Sequence, residues 1–206
     1  MEIKRTANAG VLLKMDGKTI LLDGVCEYLP PYEATPDSLR RELIEAPADI
    51  LAFTHYHADH YDAEYAALYG KKTLRSVYGP EFSHSVDIGG IQIIPIKTRH
   101  IGKADVEHVS FIIKGSRCVW FMGDASPLEW KNLNGSPSSD VLIVPYAYAI
   151  TDSAWKISKE LGAKSIVLLH MPVKENDPYG LWEAVEKTTQ GDPCLHIPEM
   201  GQILNL

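Results

Sequence analysis

Cysteine is scarce in these 206 residues, and Cys26, Cys118 and Cys194 are odd in number, far apart and without CxxC spacing. That excludes a disulfide framework and a thiolate zinc site, and fits a reducing compartment. Long apolar runs are missing too. No stretch approaches the roughly 20 apolar residues of a membrane-spanning helix, and the opening MEIKRTANAG has no apolar segment behind its basic residues. The expectation is a cytoplasmic protein with no membrane partner. Positive charge is in short supply: 20 Lys and Arg face 27 Asp and Glu, for a formal net charge of −7. Proteins that grip phosphate backbones by counterion release have the opposite balance, so no nucleic-acid partner is expected. The densest basic cluster, Lys71 and Lys72 with Arg75, reads as a solvated edge. Also absent are a GxSxG elbow, a P-loop and a Rossmann glycine pattern, which leaves serine hydrolysis and nucleotide-driven chemistry without local support.

What is present is an ordinary globular composition, 45% hydrophobic and 23% charged, enough to bury one substantial core in a single domain over residues 1–206. The chain is expected to open with a hairpin, because Gly10 to Met15 and Lys18 to Asp23 are β-prone and Asp16-Gly17 suits a type I′ turn. A proline-rich loop (Pro30, Pro31, Pro36) leads to a short helix or turn over Ser38 to Glu45 and a buried strand at Ile50 to Phe53. Tyr61 to Tyr69 has helical spacing and is expected to stop at Gly70. The second half repeats this plan. Val109 to Ile113 and Arg117 to Met122 form a second hairpin that exits at Gly123-Asp124, as the first exits at Asp23-Gly24. Asp140 to Val144 echoes Asp49 to Phe53, and Thr151 to Leu161 is a helix capped by Thr151 or Asp152. Ile91 to Ile96 and Ser165 to Leu169 are further strands, leading to His100 and His170. Two related halves imply two sheets stacked face to face with helices outside, an α/β fold in which ligands sit at strand ends.

The chemistry concentrates in Thr54-His55-Tyr56-His57-Ala58-Asp59-His60, directly after an apolar strand. Residues two apart on extended chain point the same way, so His55 and His57 can face one metal while Asp59 and His60 turn towards a second. Imidazole nitrogens and carboxylate oxygens together suit zinc, and also manganese or iron. The bland alternative, a polar loop that happens to be rich in histidine, fits so compact a cluster poorly. This HYHADH segment resembles the HxHxDH signature of the metallo-β-lactamase superfamily, and the remaining motifs follow in order over most of the chain. Asp23 in Leu21-Leu22-Asp23-Gly24 resembles the first, mainly structural aspartate, His100 the third-motif histidine, Asp124 the bridging aspartate and His170 the last histidine. The resemblance implies a four-layer αββα sandwich of two mixed β-sheets with outer helices. It also implies that His55, His57 and His100 bind one divalent ion, that Asp59, His60 and His170 bind another, and that Asp124 bridges them.

Competing readings stand beside these. His108 rivals His100 as the third-motif ligand, and we favour His100 because it ends a strand. Asp124 as a turn cap and His170 as a core histidine are the plainer alternatives for those positions. His84 and His196 have no visible partners and stay outside the site; Tyr146 and Tyr148 could line the pocket, with aromatic packing the favoured reading, and Trp120, Trp130, Trp155 and Trp182 read as packing. Two ions of this kind, zinc ahead of manganese or iron, would lower the pKa of a shared water, with Asp59 as the catalytic residue that orients it. Within the superfamily the chain resembles the small hydrolases related to ascorbate-6-phosphate lactonase. That implies a small ester, lactone or phosphorylated metabolite, with an anionic small molecule as partner. A nuclease or phosphodiesterase of the same fold is the alternative. Of other classes, a di-iron oxidoreductase is disfavoured by His57, where such members carry Glu, and a non-catalytic metal-binding protein by the complete ligand set.

Overall fold

The computed structural model describes residues 1–102, 105–128, 138–161 and 163–206. Its first sheet has six strands in the order β13, β1, β2, β3, β4, β5, with β1 at Glu2–Arg5, β2 at Val11–Met15, β3 at Lys18–Leu22, β4 at Ile50–Ala52, β5 at Ser76–Tyr78 and β13 at Ile203–Asn205. The second has seven in the order β12, β11, β10, β9, β8, β7, β6. These are β6 at Val86–Asp87, β7 at Gln92–Lys97, β8 at Val109–Lys114, β9 at Cys118–Phe121, β10 at Val141–Pro145, β11 at Ser165–Leu169 and β12 at Leu195–His196. Both sheets are mixed. The run β1, β2, β3 is antiparallel and β3, β4, β5 parallel, and the same sequence of pairings recurs in β7, β8, β9 and β9, β10, β11. The internal repeat read from the two hairpins is therefore a repeat of topology.

The hairpin turn is as its residues dictate: Asp16 and Gly17 both have positive φ, 50° and 75°, and Met15 pairs with Lys18. It does not open the chain, because β1 precedes it. β1 is short and largely polar, and its apolar residue Ile3 alone gives little periodic signal. The other strands alternate in a way that builds three apolar layers. Ile20, Leu22, Ile50 and Ala52 of the first sheet meet Phe111, Val119, Phe121, Ile143 and Val167 of the second between the sheets. Leu21, Leu51 and Phe53 face outwards onto Leu43, Tyr65, Ala66 and Tyr69 from α1 (Asp37–Glu45) and α2 (Ala63–Thr73). Leu142, Val144, Ile166 and Leu168 face outwards onto Leu161, which ends α3 (Asp152–Glu160), and Leu181 and Val185 of α4 (Leu181–Thr189). A strand covered on both faces must be apolar on both, which is why β4, β10 and β11 read as continuous hydrophobic runs.

Helix α2 differs from its expected span of Tyr61 to Tyr69. It starts after Asp62, whose side chain accepts a 2.8 Å hydrogen bond from the Tyr65 N–H, and runs through Gly70 to Thr73, with Leu74 taking the left-handed end at φ 56°. Glycine inside a helix costs only about 1 kcal/mol relative to alanine. Lys71 and Lys72 repay part of that by lying at the negative end of the helix dipole. Thr151 caps α3, accepting from Ala154 N–H. The stretch after His170 carries α4, β12 and β13, and β13 returns to pair with β1. Among the described residues no helix is long and apolar enough to cross a membrane. Trp120 is buried, and Trp155 and Trp182 pack partly buried against the same cluster; Trp130 lies outside the described residues.

Candidate metal centre

Every residue singled out at a strand end emerges at one edge of the sandwich. Asp23 follows β3, the His55 to His60 loop follows β4, His100 follows β7, Asp124 follows β9 and His170 follows β11. The backbone is bent to bring them there: Asp23 and His170 take positive φ of 44° and 60°, unusual for residues other than glycine.

Three groupings of potential ligands result, each with one donor atom per residue within 4.8 Å of the others: His55, His57 and His100; Asp59, His60 and His170; and Asp23, His55 and His60. Asp124 lies between the first two. Its Oδ1 is 3.3 Å from His60 Nε2, and its Oδ2 is 3.5 Å from both His100 Nε2 and His170 Nε2. His170 Nε2 is 2.9 Å from Asp59 Oδ2, and His55 Nε2 is 3.1 Å from His57 Nδ1. All seven are buried except His57, which is half-buried.

Asp23 organises the histidines from behind. Its carboxylate accepts the Thr54 N–H at 2.7 Å, the Thr54 hydroxyl at 2.6 Å and His60 Nδ1–H at 2.8 Å. Because the Thr54 hydroxyl is spent on Asp23, its oxygen accepts from His55 Nδ1–H at 3.0 Å. His100 Nδ1–H donates to the Ile101 carbonyl. In each case the outer nitrogen is occupied and Nε2 is left facing inwards, the way outer partners orient metal-ligating imidazoles. His108 is the reverse. Its Nε2 accepts the Asp124 N–H at 3.0 Å, so it has no lone pair to offer, whereas His100 joins His55 and His57 in one grouping of potential ligands. Asp23, Thr54 and His108 thus belong to the site as supports.

The electrostatics follow from burial and these contacts. Burial drives the His55 and His57 imidazoles below their ordinary value and pushes His108 down to about 3, so all three are neutral. Burial also works against charge on His60, but Asp124 and Asp23 on either side outweigh it and hold the imidazole well above its ordinary value. Asp124 and Asp59 are held low by the neighbouring histidines against the opposing effect of burial.

Residues 2–170 match the family model described as "Beta-lactamase superfamily domain". The chain belongs to the β-lactamase superfamily. Among curated proteins no relative matches the sequence. A possible metal-dependent hydrolase from Veillonella parvula DSM 2008 superposes with TM-score 0.74 at 17% identity, covering 100% of this chain and 99% of that one. An isothiocyanate hydrolase from Delia radicum gut bacteria gives TM-score 0.71 at 15% identity, with 100% and 99% covered. A diphosphatase of the PhnP family gives 0.55 at 17%, with 97% and 85% covered. At such identities the likeness is one of fold.

The residues of this superfamily member fit divalent ions on the structure's own terms. His60 Nε2, His100 Nε2, His170 Nε2 and Asp124 Oδ1 are buried without a well-formed hydrogen bond, their neighbours being one another and Asp59. They converge, and a cation among them answers all four.

Tyrosines wall the His170 side. The Tyr32 ring meets the His170 ring edge-on at 4.3 Å, and Tyr146 lies 5.5 Å from it. Tyr146 does both: it packs partly buried against the outer core and, because it leaves β10 at the ligand edge, borders the site. Tyr148, two residues on, is fully buried in the outer core as expected. Nothing in the sequence marks Tyr32, whose place depends on the path of the proline-rich loop. His84 is exposed and His196 lies in β12, both away from the centre.

Proposed function

We propose that this protein is a binuclear metal-dependent hydrolase acting on a small ester, lactone or phosphorylated metabolite, the substrate class implied by its resemblance to the ascorbate-6-phosphate lactonase-like branch. The observation that carries this reading is the pair of donor triads with Asp124 between them. His55, His57 and His100 hold one ion, Asp59, His60 and His170 the other. Seven donors exceed the four that one tetrahedral zinc takes. When bound, such ions supply a water of lowered pKa and polarise the oxygen of the bond being broken.

The chain's own groups do the rest. Asp59 is placed to accept a proton from the attacking water and to aim it, its other neighbour being His170. Asp23 and Thr54 accept from the Nδ1–H of His60 and His55, which leaves Nε2 as the nitrogen each would offer an ion. Tyr32 and Tyr146 narrow one side and exclude solvent there. Bound dications are the largest local charges in such a site, so an anionic substrate is compatible with the acidic chain. Similarity of fold to proteins named an isothiocyanate hydrolase and a diphosphatase is in keeping with a small substrate.

The test is kcat/KM of the metal-loaded protein on small lactones, esters and phosphodiesters against structured RNA, single-stranded DNA and β-lactams, with His55→Ala as the control for contaminants. Preference for a small ester, lactone or phosphate that His55→Ala abolishes is expected. A clear preference for a nucleic acid overturns the substrate class and leaves the metal centre standing.

A further inference from the structure

The support behind Asp124 is a closed chain of hydrogen bonds whose direction is fixed at both ends. It begins at the Asp124 N–H, which donates to His108 Nε2 at 3.0 Å. His108 Nδ1 lies 2.8 Å from Thr98 Oγ1, Thr98 Oγ1 lies 3.0 Å from Ser110 Oγ, and Ser110 Oγ donates to the Met122 carbonyl at 2.9 Å. An amide N–H only donates and a carbonyl only accepts. The two hydroxyls and the imidazole between them therefore have one consistent arrangement. His108 carries its proton on Nδ1 and gives it to Thr98, Thr98 donates to Ser110, and Ser110 donates to Met122. A proton on His108 Nε2 would set two donors against each other.

The chain leaves from Asp124 and ends at Met122, so it staples the two sides of the Met122-Gly123-Asp124 turn. Gly123 is at φ 54°, and a Cβ there would lie 2.6 Å from the Thr54 side chain, so the turn is wedged against the residue that orients His55. His108 is itself anchored: its carbonyl accepts from Thr98 N–H at 3.2 Å, and the next N–H, of Val109, donates to the Thr54 carbonyl at 3.0 Å. His108 and Ser110 are 2% and 3% exposed, which leaves little slack in these links. Asp124 in turn lies within 3.5 Å of ligands from both triads.

We propose that His108 is a positioning residue, outside the metal's own ligands, whose neutral Nδ1–H form fixes the backbone of Asp124 so that its carboxylate spans the two triads, with Thr98 and Ser110 holding that form in place. This rests on the two-metal reading of the site. Its signature is in metal binding. Removing the Nε2 acceptor leaves the Asp124 N–H buried and unpaired, frees the turn, and weakens the ion that depends on the bridge, while the seven ligands themselves remain. Loss of an outer-shell partner typically lowers metal affinity about 10–100-fold.

The experiment uses the full chain and Zn²⁺ in competition with a chromophoric chelator, together with the visible absorption of the Co²⁺-substituted protein, for wild type, His108→Leu, His108→Gln and Thr98→Val. Expected are two equivalents in wild type, about 10–100-fold weaker binding of at least one ion with an altered Co²⁺ spectrum in His108→Leu, and recovery in His108→Gln, whose Oε1 reaches the place of Nε2 and accepts the same N–H. A folded His108→Leu with wild-type affinity and spectrum overturns the proposal. So does an equal loss in His108→Gln, which assigns the effect to ring packing. If His108→Leu does not fold, Thr98→Val decides, since it keeps the ring and removes its anchor: weakened binding supports the proposal and unchanged binding overturns it. A wild type that binds no zinc refutes the reading of the site itself, a different result from any of these.

Discussion

Asp23→Asn isolates what the carboxylate behind the histidines contributes, because it preserves shape and changes only charge and proton inventory. The buried Asp23 accepts three hydrogen bonds, from Thr54 N–H at 2.7 Å, Thr54 Oγ–H at 2.6 Å and His60 Nδ1–H at 2.8 Å. An asparagine oxygen can keep the first. Its NH₂ group then stands where Oδ2 was, facing two donors. Relief comes if His60 moves its proton to Nε2 and accepts on Nδ1, but that proton then occupies the nitrogen meant for metal. Two hydrogen bonds to a charged acceptor are worth about 1.5–3 kcal/mol each. Tautomer exchange recovers part of this, so a loss of about 2–4 kcal/mol in metal-bound stability is expected. The corresponding weakening of zinc affinity is at least 10–100-fold, and it falls on the ion held by His60. Chelator competition measures the affinity, and thermal unfolding with and without zinc separates this effect from damage to the fold. Affinity within about two-fold of wild type would refute the assignment of Asp23 as the group that sets the His60 and His55 tautomers.

Two further outcomes are expected. His57→Ala should abolish turnover and leave the unfolding transition of the chelator-treated protein within about 0.5 kcal/mol of wild type, since a half-buried loop side chain carries little of the core; near-normal turnover would count against the ligand assignment. Gly10→Ala should destabilise by about 2–4 kcal/mol, seen as a fall in Tm of roughly 5–10 °C, because its Cβ would lie 1.9 Å from the Asp23 carbonyl oxygen. Since that collision displaces Asp23, zinc affinity should fall with it, whereas Gly17→Ala, with open space around its Cβ, should leave affinity unchanged.

What could be read in advance divides by the range of the interaction that determines it. The His and Asp side chains that the fold gathers around Asp124 are legible because their order along the chain and their position after apolar strands are local facts. The two halves were legible because each strand's alternation and each hairpin's glycine are local too. β1 and β13 leave no mark in the sequence because they are stabilised by pairing with each other across the full length of the chain, and neither has an apolar period of its own. The C-terminal end of α2 lies beyond Gly70 because glycine is a stop signal only when nothing after it favours continuation. His108 against His100 could not be decided from spacing. The deciding fact is a hydrogen bond from the Asp124 backbone, sixteen residues away, which occupies one imidazole and leaves the other free.

The central claim is that this chain holds two ions, one in each triad around Asp124. Equilibrium dialysis against zinc followed by elemental analysis tests it most directly, on wild type beside His57→Ala and His170→Ala. The account predicts two ions per chain in wild type and close to one in each variant, at zinc concentrations that saturate the intact triad. One ion or none in fully reconstituted wild type, or two retained in both variants, would contradict it.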